Sequence, residues 1–205
     1  MGKAQMRHVS IFIENILNDD KESQVSSSLK NYKKKIFLYC SLLERSIQSG
    51  EIVANILDLP LYANLDVHEN GGMFDYYEET DERVGRSGPT KSEIIRNHPN
   101  LVLPSTMKEG SWWDKPYEGQ QDSIKRAHKA IKNLLNTHPG EDEIVIWIGH
   151  EDFYNTFLKV LLEIQRKDIW CKLNNGAVTL IEFLPKNLII HFENYYGFLP
   201  FELVD

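Results

Sequence analysis

Arg45 and His150 are the residues whose type and setting suit chemistry on an anion. Arg45 follows the apolar run Ile36-Phe37-Leu38-Tyr39-Cys40, which has the composition of a buried parallel strand. Leu43, Ile47, Ile52, Val53 and Ile56 then take up a looser helical spacing, so strand turns into helix at Ser41. Ser41 is the expected N-cap, with Glu44 three residues on as in a capping box. Arg45 would then stand in the first helical turn at the carboxyl edge of a sheet, where α/β folds keep their ligands. A cation is misplaced there, because the helix dipole favours anions. A phosphate would offset it, gripped by helix amides and the planar guanidinium together. The plainer alternative is a surface arginine paired with Glu44 or Glu51.

His150 repeats the layout. In EIVIWIGHEDF a second apolar strand, Ile144 to Ile148, stops at Gly149-His150. Glu151 and Asp152 then open a helix whose face carries Phe153, Phe157, Leu158, Leu161 and Leu162. An imidazole at a strand's carboxyl end is well placed to meet a ligand; the alternative is a capping or core histidine.

The elements that must position these two residues fit one large domain of 205 residues, and 41% hydrophobic content is enough for one core. A net charge of -7 argues against a nucleic-acid or anionic-membrane binder, so any phosphate site must be a local positive pocket. Cys40 and Cys171 both lie in apolar runs and read as buried thiols in a reducing compartment, with no metal-ligand spacing. No apolar run reaches membrane-span length and no secretory leader is visible. The expectation is a soluble, cytoplasmic protein without cofactor or metal.

Along the chain, Val9 to Ile13 reads as a short strand, and residues 18–35 as a solvated loop followed by a weak helix. Beyond Leu59 comes a long, weakly periodic loop or cap insert at about 66–118. Within it Thr90 and Glu93 have capping-box spacing for a short helix ending at His98. Trp112 and Trp113 form either a lid or an anchor tying the insert to the core. Ile124, Ala127, His128, Ile131, Leu134 and Leu135 mark an amphipathic helix. Ala177–Phe183 and Leu188–Glu193 should pair as an antiparallel hairpin around Leu-Pro-Lys-Asn. The fold class is α/β: a three-layer sandwich with a mixed, mostly parallel central sheet, helices on both faces and a C-terminal antiparallel hairpin.

The run YCSLLERSIQSGEIVANILDLP resembles the histidine phosphatase superfamily, the phosphoglycerate mutase-like proteins, with their Ser-Pro-Leu-x-Arg-Ala-x-Gln-Thr-Ala signature. Ser41, Leu43, Arg45 and Gln48 match, while Leu42 and Ser49 replace proline and threonine. IGHEDF is similar to the family's Ser-His-Gly-Gly-Phe, with Glu151 and Asp152 in place of two small residues. DVHENGGMF resembles the segment that supplies the general acid, and LNNGAVTLIEF the late strand. The resemblance spans roughly 36–205 and implies metal-free phosphoryl transfer from a small phosphomonoester through a phosphohistidine. It implies Arg45 and His150 as phosphoryl ligands, His150 as a catalytic group as well, and Glu69 as the catalytic acid; a solvated loop carboxylate is the other reading of Glu69.

The family's Arg-His-Gly strand has one counterpart here, Arg7-His8, followed by Val9. The resemblance implies Arg7 as a phosphate ligand and His8 as the nucleophile. Two readings stay open: a phosphatase or mutase using His8, or a degenerate relative, atypical or truncated over 1–35, that binds a phosphorylated ligand or has a structural role.

Overall fold

The computed structural model describes residues 2–18, 35–140, 142–166 and 168–204. The loop and helix expected over 18–35 lie almost wholly outside the described residues.

The centre is a four-stranded, all-parallel sheet in the order β5 (Leu101–Val102), β2 (Leu61–Ala63), β1 (Lys35–Cys40), β6 (Glu143–Ile148). β1 and β6 run in register from Lys35↔Glu143 to Cys40↔Ile148, so both strands end at the same level. β1 is one of the two interior strands, and its Leu38 and Cys40 are fully buried. Burial also pushes the Cys40 thiol up to about 12, which keeps it an unreactive core group.

Helices cover both faces. On one, α2 (Glu44–Leu57) packs Ile47 and Val53 against Leu38, Cys40 and Ile146. On the other, α4 (Gln120–Thr137) and α5 (Glu151–Leu161) pack Ala127, Ala130, Phe153 and Phe157 against Trp147. The alternation along β6, Ile146 to one side and Trp147 to the other, is the period of a strand packed on both faces, though as an edge strand it is only half-buried throughout. The chain closes with the hairpin of β7 (Val178–Phe183) and β8 (Leu188–Tyr195). This hairpin forms its own two-stranded sheet and does not make the central sheet mixed.

Three local expectations change. The strand expected at Val9 to Ile13 is part of α1, Gly2–Asn18. A short apolar run is ambiguous between strand and helix, and Val9, Phe12, Ile13 and Ile16 recur at helical spacing. Ser41 does not cap α2: the N-cap is Leu43, without a side-chain hydrogen bond, because the Ser41 hydroxyl is engaged elsewhere. The weakly periodic passage after Leu59 contains β2 and β5 of the central sheet, and a small hairpin of β3 (Phe74–Tyr77) and β4 (Glu82–Gly85). The Thr90–Glu93 capping box is formed and opens α3 (Lys91–Asn97).

Candidate functional site

Because β1 and β6 end level, Ser41 and Gly149 leave the sheet side by side. The Ser41 Oγ lies 2.8 Å from His150 Nε2, buried from solvent. Ser46, one turn into α2, fastens both strand ends: its hydroxyl donates to the Ile148 carbonyl and accepts the Ser41 N–H, each at 3.1 Å. His150 occupies the N-cap position of α5 with extended backbone, yet its side chain caps nothing. Burial first, then the Arg45 guanidinium and the charges of His68 and Arg126, push its imidazole down to about 3. The ring is therefore neutral near neutral pH.

Arg45 is in the first turn of α2, with 64% of its side chain exposed. Neither Glu44 nor Glu51 pairs with it. His98, at the C-cap of α3, takes both, with Nδ1 2.8 Å from Glu51 and Nε2 3.1 Å from Glu44. Arg45 instead approaches Glu69, Nη2 to Oε2 at 3.9 Å. It also borders a cavity of about 470 Å³ lined by Gly2, Lys3, Arg45, Gln48, Ser49 and Ile52.

Glu69 is not a solvated loop carboxylate. Its Oε1 accepts the backbone N–H groups of Asn70 and Phe153, both at 2.9 Å, so it serves the first turn of α5. Burial raises its pKa above the ordinary carboxylate range, despite those two N–H donors and Arg45. Geometry thus joins Arg45 to Glu69 and ties Glu69 and His150 to the same helix start.

The loop that carries Glu69 is set above all by Arg126, which the sequence reading left unmarked. Arg126 of α4 is buried. It donates to Glu118 through Nε and Nη2, to the Asp66 and His68 carbonyls through Nη1 at 3.0 and 2.8 Å, and to Asn70. His68 is buried beside it against Trp112 and Trp113, its Nδ1 2.8 Å from the Glu69 carbonyl oxygen, and burial followed by Arg126 pushes it down to about 4. Trp113 is itself buried and packs on Gly72, where any Cβ would fall 2.1 Å from the indole and φ is +72°. Trp113 is an anchor. On α4 the apolar stripe places His128 inward by spacing, but His128 is exposed and Arg126 is buried. Spacing alone carries no signal for a buried arginine that satisfies three loop carbonyl or amide oxygens.

Arg7 and His8 stand in the middle of α1, not at a strand end. Arg7 is exposed and His8 half-buried. Phe12, one turn on from His8, stacks on Phe198 with ring centroids 4.2 Å apart, while the α1 residues at the Arg45 cavity are Gly2 and Lys3. Among the described residues no hydrogen bond, ion pair or ring contact joins Arg7 or His8 to Arg45, Glu69 or His150. Among them, too, no group of three or more His, Cys, Asp or Glu could hold a metal ion, and no helix is long and apolar enough to cross a membrane.

The sequence profile of the histidine phosphatase superfamily (branch 1) matches residues 17–195. The chain belongs to the histidine phosphatase superfamily. The matched span holds Arg45, Glu69 and His150 and begins after Arg7 and His8. Solved structures share its fold. Bacillus stearothermophilus YhfR is 15% identical with a TM-score of 0.55, covering 97% of this chain and 85% of its own. The alpha-ribazole phosphatase from Shigella flexneri is 15% identical with a TM-score of 0.55, covering 94% and 81%. The ecdysone phosphate phosphatase from Bombix mori, solved with tungstate, is 16% identical with a TM-score of 0.51 over 92% of this chain; the match spans 62% of that longer protein. No curated protein sequence matches. At these identities the likeness is one of fold.

Proposed function

We propose that this histidine phosphatase superfamily chain recognises the phosphoryl group of a small phosphomonoester between Arg45 and His150. The observation that carries this reading is the pairing of β1 and β6, whose level ends bring a largely exposed guanidinium and a neutral imidazole to one carboxyl edge. Arg45 supplies charge and a planar pair of donors for two phosphoryl oxygens. His150 supplies a neutral N–H donor. Donors held in place by the fold favour an anion without having to reorganise.

A turnover reading draws on Glu69. A carboxyl whose pKa burial raises keeps its proton further towards neutral pH and suits protonation of a leaving alkoxide. The full cycle also needs a nucleophile, and His8 is the chain's candidate. Its place on α1 favours phosphomonoester binding over a phosphohistidine cycle as the function of this chain.

Inorganic phosphate or vanadate should raise the melting temperature of wild type, and Arg45→Ala should abolish the rise. No shift with either anion defeats the reading. Brief exposure to a reactive phosphoester separates binding from turnover: an acid-labile label on wild type, absent from His8→Ala, would assign His8 as nucleophile and reverse the preference for binding alone.

A further inference from the structure

The buried contact between Ser41 and His150 bears on which ring nitrogen carries the proton. The Ser41 Oγ accepts the Leu43 N–H at 3.2 Å and lies 2.8 Å from His150 Nε2. Both residues are buried. A hydroxyl has one proton to give. If Nε2 carried the ring proton, it would donate to Oγ, and among the described residues the Ser41 O–H would have no acceptor left. If Nε2 is bare, Ser41 donates to it, every polar atom at the contact is satisfied, and the ring proton sits on Nδ1. Nδ1 has no hydrogen-bond partner among the described residues, so this arrangement leaves it free to donate.

We propose that Ser41 is the positioning residue of His150, fixing the Nδ1–H tautomer so that Nδ1–H is the donor offered to the phosphoryl oxygen. Ser46 serves the same end, since its bonds to the Ser41 N–H and the Ile148 carbonyl hold the hydroxyl and the ring on one frame. The inference rests on the reading of His150 as a phosphoryl ligand, and it adds the atom that does the binding and the residue that aims it. No sequence pattern marks it, because Ser41 matches the family signature equally well as a cap or as a turn residue.

Long-range proton–nitrogen NMR correlations on isotope-labelled full-length protein read the tautomer directly. Wild type should show His150 protonated at Nδ1 and bare at Nε2. Ser41→Ala should mix the two tautomers and weaken phosphate binding by about fivefold to tenfold, as expected for loss of one well-placed donor. Ser41→Thr, which keeps the hydroxyl, should restore both. An Nε2–H tautomer in wild type overturns the proposal, as does an Nδ1–H tautomer with unchanged affinity in Ser41→Ala. A wild type that holds the Nδ1–H tautomer but binds no phosphate supports the hold of Ser41 on the ring and defeats the clamp, so the two failures are distinguishable.

Discussion

The Arg126 guanidinium meets the Glu118 carboxylate fork to fork, with Nε 2.8 Å from Oε1 and Nη2 2.6 Å from Oε2, and both side chains are buried. From that paired position Arg126 spends its remaining donors on the loop from Asp66 to Asn70. The acid candidate Glu69 therefore sits in a loop that this charge pair holds on either side, at His68 and at Asn70.

Removing one partner should expose how much the loop depends on the pair. Arg126→Met strands a buried carboxylate and Glu118→Leu a buried guanidinium, and each should cost about 3–5 kcal/mol in urea unfolding. The double variant should recover only part of that loss, because the Asp66 and His68 carbonyls still lack their donor. Single variants within about 1 kcal/mol of wild type would show that the pair is not structural.

Glu69 both caps a helix start and faces Arg45. Its anion opposes a bound dianion, so Glu69→Gln should tighten sulfate binding about twofold to fivefold while keeping the acceptor for the Phe153 N–H. Sulfate stays dianionic through the acid range, which isolates the protein's titration. Since the Glu69 pKa is raised, wild-type affinity should climb as pH falls, with the climb centred above the ordinary carboxylate value of 4.5, whereas Glu69→Gln should lack that climb. Parallel pH profiles in calorimetric titrations would refute the assignment.

His98 ties α3 to α2 through Glu51 and Glu44. Burial alone would lower its pKa, but hydrogen bonds to the two carboxylates outweigh it and leave it above 6.5. A raised imidazole pKa contributes stability that is fully present below 6.5 and lost as pH rises through the folded value. Wild type should melt above His98→Gln by about 2–4 °C in the pH range below the ordinary imidazole value of 6.5, with the gap closing as pH rises through the raised folded value. His68 and His150 act in the opposite sense. Held down to about 4 and about 3, they stay neutral in the fold, so their contribution is intact above 6.5 and is lost as pH falls towards those values. Differential scanning calorimetry across this range checks both limbs.

Arg45 and His150 could be singled out in the sequence because local order carries the signal. An apolar run that stops, followed by a charged or polar residue and a new helical period, locates a strand's carboxyl end without any long-range information. The same local logic found the Thr90 box and the two long helices α2 and α4. It also gave the hairpin at 184–187, where Leu184 N–H bonds Asn187 O.

What the chain could not state in one dimension was the partnership of distant polar groups. Whether Val9–Ile13 is strand or helix depends on what it packs against, and α1 answers by laying Met6 on the α2 side of the core and Phe12 on Phe198. Whether Ser41 caps a helix or holds a histidine depends on β6 arriving beside β1. Whether an arginine beside an apolar stripe is solvated or buried depends on loop carbonyls some sixty residues away. Hydrophobic period is a property of neighbours in sequence, and so the sequence by itself determined the strands β1 and β6, the helices α2, α4 and α5, and the strand ends after which Arg45 and His150 follow. Hydrogen-bond satisfaction is a property of neighbours in space. The tertiary structure alone could decide that Glu69 is held by the Phe153 N–H, that Ser41 meets His150 Nε2, and that His8 stands on a helix and not at a strand end.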